Sequence, residues 1–307
     1  MKKRSTIKTL LLFITMIILW SCSRLDENLF NPNEHKISEY KLDNYTGEVD
    51  FRLGAAYKIP DSLIKLFTLS SQAPGETNAT KIWAVYIGSM RRLSTDTIIV
   101  YCHGNKDHMD FYWPRAQLLA NMGGKNRYGV LMMDYRGYGL SEGKPSENAL
   151  YADVNAALQW LKTNGVTNNR LIMYGFSMGT APATKLTAEP RSMTPAKLML
   201  EAPFASAKAM VQDATALALP GTFVTDLQIN NAEEIKKVTQ PFFWIHGVAD
   251  DFLAMETQGE VVFKNYGGQS QNKVAYRIPS ANHSTIPNTM SFENYLKAVN
   301  DFIVRRF

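Results

Sequence analysis

Two cysteines, Cys22 and Cys102, are all that 307 residues contain, and so few exclude a fold stapled by disulfides. If Cys22 is consumed by other chemistry, no internal disulfide can form. Cys102 stands in the apolar run "TIIVYC", where it reads as a small buried hydrophobe rather than a reactive thiol. The chain also offers no apolar stretch of the roughly 20 residues needed to cross a bilayer; the run from Thr9 to Trp20 falls short. Histidine is scarce, at five residues, so chemistry that needs an imidazole has few sources. Surplus positive charge is missing too, once the first residues are discounted. The 33 basic and 28 acidic residues give a net charge of +5; residues 1–21 hold Lys2, Lys3, Arg4 and Lys8 and no acid, which leaves 29 against 28, or +1. No basic surface for nucleic acid is expected in what remains.

What is present begins with a leader. "MKKRSTIKTLLLFITMIILWSC" has a basic start, a short apolar run and a small residue before Cys22, the pattern of a signal peptide over residues 1–21. Leu19, Trp20, Ser21 and Cys22 resemble the lipobox of bacterial lipoproteins. That resemblance implies cleavage before Cys22, lipidation of its thiol, and an exported protein lipid-anchored to a bacterial cell membrane. Residues 22–48 are polar and without periodicity, so they read as a tether whose coil would extend about 25 to 30 Å. The remaining residues, 49–307, form one domain, and a hydrophobic content of 45% supplies a sizeable core.

Within the domain, short apolar runs alternate with amphipathic stretches. The runs "KIWAVYIG", "TIIVYCHG", "GVLMMDY", "RLIMYG", "AKLMLEAP", "PFFWIHG" and "KVAYRIP" are mostly too continuous for half-exposed strands. They predict a mainly parallel sheet covered on both faces by helices, an α/β fold. Residues 64–70 and 81–88 predict an antiparallel pair around "APGETN" at the sheet edge. Over 147–163, Leu150, Val154, Ala157, Leu158 and Leu161 share a helix face, with Ser146 as cap and Gly165 beyond the end. A last helix follows Ser291 and carries Phe292, Leu296, Val299 and Ile303 on one side. Pro114 reads as a helix start after the packed aromatics Phe111, Tyr112 and Trp113. Residues 204–237 have no strand character and predict a small cap or lid.

The chemistry centres on "YGFSMG" at 174–179. An apolar strand leads into Gly175-Phe176-Ser177-Met178-Gly179, and small residues suited to a helix follow. A serine at a tight strand-to-helix turn sits in strained backbone, and the flanking glycines avoid collisions that side chains there would suffer. The hydroxyl needs a neutral imidazole as base. Of the histidines, His35 falls in the tether, and His103 and His246 end apolar strands in "HG". His283, in the polar loop "PSANHSTIP", is best placed to reach over Ser177. A carboxylate must orient that imidazole. Asp250 in "WIHGVADDFL" is preferred; Asp251 reads as the cap of the next helix, and Glu201 in "LMLEAPF" is the outside candidate. An oxyanion would find donors in the backbone N–H groups of Met178 and Asn105.

Taken together, "HGN", "DYRGYGLSEG", "YGFSMG", "EAPF", "WIHGVADD" and "ANH" resemble, in order, the α/β-hydrolase superfamily over most of residues 80–307. More narrowly they look like its small-cap serine hydrolases with an His-Gly-Asn oxyanion loop. The resemblance implies an eight-stranded sheet, the order Ser177, Asp250, His283, and activity of an esterase, thioesterase or lipase kind. Lys106 and Asp107 replace the further glycine usual after "HGN". In "DYRGYGLSEG", three glycines allow tight turns and Asp134 and Arg136 tie the loop. The expected protein is a serine hydrolase that needs no cofactor or metal. Its expected partners are a small acyl ester, thioester or short peptide and, through the lipid anchor, a membrane. A peptidase of the same fold and a non-catalytic ligand-binding lipoprotein are the competing readings.

Overall fold

Segments that are apolar at nearly every position form the central strands here because neither face of the sheet meets water there. The computed structural model describes residues 29–32, 37–215 and 225–307; the leader, Cys22 and His35 lie outside the described residues. Eight strands are formed: β1 (Ile64–Ser71), β2 (Thr80–Ile87), β3 (Ile98–Cys102), β4 (Gly129–Met133), β5 (Leu171–Phe176), β6 (Lys197–Glu201), β7 (Phe242–Gly247) and β8 (Lys273–Ile278). They lie in the order β1-β2-β4-β3-β5-β6-β7-β8. β2 runs antiparallel to both β1 and β4, and every other pairing is parallel. This is the α/β-hydrolase fold.

Alternation along each strand feeds two apolar layers. Ile98, Val100 and Cys102 of β3 join one, Ile99 and Tyr101 the other; on β5, Leu171 and Met173 oppose Ile172, Tyr174 and Phe176. Burial pushes the Cys102 thiol well above its ordinary pKa, as befits a packing residue. The second layer is closed by α1 (Met109–Asn121) and, at the chain's end, by α8 (Phe292–Val304). The first is closed by α2 (Glu147–Thr163) and α3 (Thr180–Ala188). Ser146 caps α2 by accepting from the Ala149 N–H at 3.2 Å, and all five residues expected on its apolar face are buried. In α8 the buried stripe is Tyr295, Ala298, Val299, Phe302 and Ile303. Phe292 and Leu296, expected on that face, are only half-buried at its margin.

Two expectations are corrected by the packing. α1 begins at Met109, not at Pro114, which sits in its second turn. The earlier start lets Phe111, Tyr112 and Trp113 bury against the sheet, which offsets the hydrogen bond that proline cannot make. The tether expected over 22–48 is not a free coil where it is described. A short turn of helix at Leu42–Asn44 is bound to α1: the Lys41 and Leu42 N–H groups donate to Asp110, and Asp43 accepts from Trp113 Nε1 and Gln117 Nε2, both at 2.6 Å. The Tyr40 hydroxyl donates to Asp134 at 2.6 Å, and Phe30 is buried. The polar residues that suggested solvent instead find partners far along the chain.

Of the cap expected at 204–237, the described parts hold α4 (Ala207–Thr215) and the short α5 (Asn231–Glu234); residues 216–224 lie outside. The remaining helices are α6 (Gly259–Lys264) and α7 (Ile286–Met290). In "DYRGYGLSEG", Gly137, Gly139 and Gly143 all take positive φ. Asp134 and Arg136 do hold this loop, but through separate partners. Arg136 reaches Asp153, Ser71 and Glu76, while Asp134 meets Tyr40 and His103.

Candidate active site

The loops that follow β3, β5, β7 and β8 converge at the carboxyl edge of the sheet, where open α/β sheets bind ligands. The turn after β5 is tight. Ser177 has φ +52°, a left-handed conformation that costs a non-glycine residue about 1–3 kcal/mol. Its neighbours explain how so sharp a turn fits. A Cβ on Gly175 would lie 2.6 Å from the Gly179 carbonyl oxygen, and one on Gly179 would lie 2.0 Å from the Cys102 carbonyl oxygen. Both contacts are to backbone, so neither is relieved by a side-chain rotation. α3 begins directly beneath, and Thr180 Oγ1 donates to the Ser177 carbonyl at 2.6 Å.

His283 reaches this turn from the loop after β8. Its Nε2 lies 2.9 Å from Ser177 Oγ, and its Nδ1 lies 2.8 Å from Asp250 Oδ2. The loop is set by Asn282, whose Oδ1 accepts from the Ser284 and Thr285 N–H groups. The imidazole packs between Phe176 and Phe252, with ring centroids 5.4 and 5.1 Å away. The acid loop is fastened to the histidine loop by backbone bonds from Val248 to Ile278 and from Ala249 to Ala281. Gly247 makes that approach possible, since a Cβ there would fall 2.3 Å from the Ala281 carbonyl oxygen.

Asp250 is held at both oxygens. Oδ1 accepts from the Phe252 and Leu253 N–H groups at 3.0 and 2.8 Å, while Oδ2 faces His283 and, at 3.1 Å, His246 Nε2. Burial alone would raise its pKa. The bonds from His246 and His283, the charge of His283 and the Leu253 N–H outweigh that, and hold the carboxyl well below the usual carboxylate range. Asp251 is exposed and caps no helix, because the next one starts only at Gly259; the turn-closing bonds expected of it are made by Asp250. Glu201 is far from idle but is engaged elsewhere. Its carboxylate is bound by Arg115 Nη1 at 2.5 Å and by the hydroxyls of Tyr174 and Tyr295.

Several site residues carried little sequence signal. His246 read as a strand end; its spacing of four from Asp250 was the available clue. Arg115 lies behind the site, fully buried, bonded to Asp50 through Nε and Nη2 at 2.9 and 2.6 Å and stacked 4.2 Å from the Phe176 ring. Asn105 and Met178 both border the serine. The missing glycine of the "HGN" loop is answered by Asp107, which itself takes φ +58°, and by Lys106, whose N–H donates to the Tyr112 hydroxyl at 3.1 Å.

Two cavities meet at Ser177, sharing Asn105 and Phe252. One, of about 250 Å³, is walled by Leu29, Phe30, Met178 and the cap residues Phe204, Met210 and Ile229 among others. The other, of about 300 Å³, is lined by Asp50, Lys106, Tyr112, His283 and Ser284 among others. Of the three aromatics read as packing, Phe111 and Tyr112 also line this second cavity, whereas Trp113 does not.

Comparison with known proteins agrees with the architecture. A family model described as "Serine aminopeptidase, S33" matches residues 94–240. α/β-Hydrolase domain-containing protein 17C of Mus musculus is 32% identical over 158 residues, 50% of this chain and 45% of its own length. Protein 17B of Xenopus laevis is likewise 32% identical over 158 residues, 50% of each chain. The chain thus spans about half the length of the curated relatives it matches. An esterase of Pyrococcus furiosus superposes with a TM-score of 0.65 at 19% identity, over 90% of this chain and 97% of that one. Est1E of Butyrivibrio proteoclasticus, solved with ferulic acid, gives 0.59 at 18% identity over 78% and 98%. With its sheet order and its strand-to-helix serine turn, the chain has the α/β-hydrolase fold, and over about half of its length it is similar to α/β-hydrolase domain-containing proteins.

Proposed function

We propose that the protein is a serine hydrolase that cleaves a carboxylic ester or thioester through an acyl-enzyme on Ser177. The observation that carries this reading is the unbroken relay from Ser177 Oγ to His283 Nε2, and from His283 Nδ1 to Asp250 Oδ2, at 2.9 and 2.8 Å. Within it, neutral His283 takes the serine proton at Nε2 as Oγ attacks the carbonyl carbon. Asp250 keeps its charge and stabilises the imidazolium without accepting the proton. The developing oxyanion is met by the N–H groups of Met178 and Asn105, aided by the positive end of α3. His283 then returns its proton to the leaving group, and a water activated by the same imidazole releases the acid.

The two cavities support an assignment of the substrate's halves. His283 lines only the second cavity and Met178 only the first, which is the more apolar, so the group that receives the proton belongs beside His283 and the acyl chain beside Met178. A second reading is a serine peptidase, favoured by the description of the matching family model. A panel of p-nitrophenyl esters, acyl thioesters and aminoacyl amides decides between them. Turnover of esters and thioesters at least tenfold faster than amides is expected; preference for amides would replace this reading with the second.

Lipid anchoring at Cys22 belongs to the same proposal. Leu29 lies seven positions after Cys22, a span of at most about 25 Å when fully extended, so an anchor there would hold the apolar cavity near the bilayer. Cys22→Ser is expected to move the protein from the membrane fraction to the soluble one; unchanged sedimentation would remove the anchor from the account.

A further inference from the structure

Leu29, Phe30 and Asn31, which the sequence assigns to a tether, form part of the site. Phe30 is buried in the same apolar cluster as Met178, Phe204 and Ile229. Leu29 and Phe30 line the apolar cavity next to Ser177. The segment is fixed by a reciprocal pair of bonds to Asn105: its Nδ2 donates to the Leu29 carbonyl at 2.7 Å, and its Oδ1 accepts from the Asn31 N–H at 2.9 Å. Asn31 also bridges Lys106 in parallel register. The Tyr138 hydroxyl is a further donor to Asn105 Oδ1, at 2.6 Å. The carboxamide of one oxyanion-loop residue is therefore occupied in holding the N-terminal segment against the cavity.

We propose that Leu29–Asn31 is a built-in wall of the acyl cavity that restricts the enzyme to short, straight aliphatic acyl groups, with Phe30 the residue that sets the limit. The inference rests on the hydrolase reading above and deepens it. Three observations support it together. Among the described residues the cavity is bounded mostly by hydrocarbon, Ser177 and Asn105 apart, so a charged or strongly polar acyl group entering it would lose hydration without compensation. Its volume of about 250 Å³ lies below the roughly 300–1,000 Å³ usual for small-molecule sites, too little for a long fatty chain held at full length. The bulky Phe30 ring that lines it belongs to a strap tied by side-chain and backbone bonds, so its position does not depend on Phe30 alone. Truncating Phe30 should enlarge the cavity and leave the strap in place.

The test is a chain-length series of p-nitrophenyl esters, from acetate to palmitate, on the full chain and its Phe30→Ala and Phe30→Leu variants. The wild type should favour butyrate over laurate by about tenfold or more in kcat/KM, since each well-packed or excluded methylene shifts discrimination by that order. Phe30→Ala should raise the laurate-to-butyrate ratio about tenfold, and Phe30→Leu should fall between. Profiles that superimpose, with wild-type far-ultraviolet dichroism and melting, would overturn the proposal while leaving the hydrolase intact. A second arm separates the two readings. Calorimetric binding of butanoate and dodecanoate to Ser177→Ala and to Ser177→Ala/Phe30→Ala needs no turnover. The double variant should gain affinity for dodecanoate about tenfold over the single one; equal affinities would overturn the wall even if no ester is ever cleaved.

Discussion

Ser177→Ala should leave a folded protein whose kcat for p-nitrophenyl butyrate falls by about 10⁴-fold or more, and which no longer reacts with a fluorophosphonate probe. The size follows from how the site is arranged. Without Oγ there is nothing for His283 to deprotonate, and only binding and oxyanion donors remain to accelerate direct attack by water. In a triad such parts act as a unit, so removing one costs about as much as removing several. His283→Ala should therefore bring kcat down by a comparable factor, and the double variant should be little worse than either single one. Multiplying losses would mean that the two residues work independently, which the 2.9 Å contact between them argues against. The fold should survive the serine change because it removes one oxygen, and alanine at φ +52° adds only modest further strain. If Ser177→Ala retained both turnover and labelling, the nucleophile would have to be sought elsewhere.

The fold and the relay were legible for different reasons. Strands such as Ile98–Cys102 and Leu171–Phe176 declare themselves because both faces are buried, so each position is apolar. The serine turn is legible because backbone crowding at Gly175 and Gly179 leaves no alternative residue type. His283 emerges by elimination among few histidines. What escaped is carried by polar residues whose partners lie far along the chain. Asp43, Tyr40 and Asn31 bond residues 70, 94 and 74 positions away, and composition alone does not separate a solvated polar residue from a paired one. The segment 37–48 therefore read as a tether although it packs on α1. Pro114 misled for a related reason: a local preference for helix starts was overridden by the burial of three aromatics ahead of it.

The cluster behind the site escaped most completely, and it carries the largest expected effect on stability. Arg115→Met should lower unfolding free energy by about 3–5 kcal/mol, the cost typical of breaking a buried ion pair, and depress Tm by on the order of 10 °C. In the native protein burial works against the charge of Arg115, but Asp50 and Glu201 hold the guanidinium firmly protonated. Methionine would fill much of the space and leave both carboxylates buried without their cation, whereas exposed charges elsewhere on the surface tolerate such a change. Burial already pushes Asp50 up, and the guanidinium is what pulls it back. Losing it makes the folded protein bind protons more tightly than the unfolded chain does, so folding is favoured by acid. The deficit of the variant should thus be smallest near pH 4, about the unfolded carboxylate value, and grow as the pH rises above it. Arg115→Met/Asp50→Asn/Glu201→Gln should recover much of the loss, since the uncompensated charges go with their partner. Activity provides an independent readout. Arg115 stacks on Phe176, beside Ser177, and its Nη2 reaches the Ser284 carbonyl next to His283 at 3.5 Å, so kcat should fall in the single variant even well below its melting temperature. A stability deficit that did not change with pH would mean that lost packing, not unpaired carboxylates, destabilises the variant.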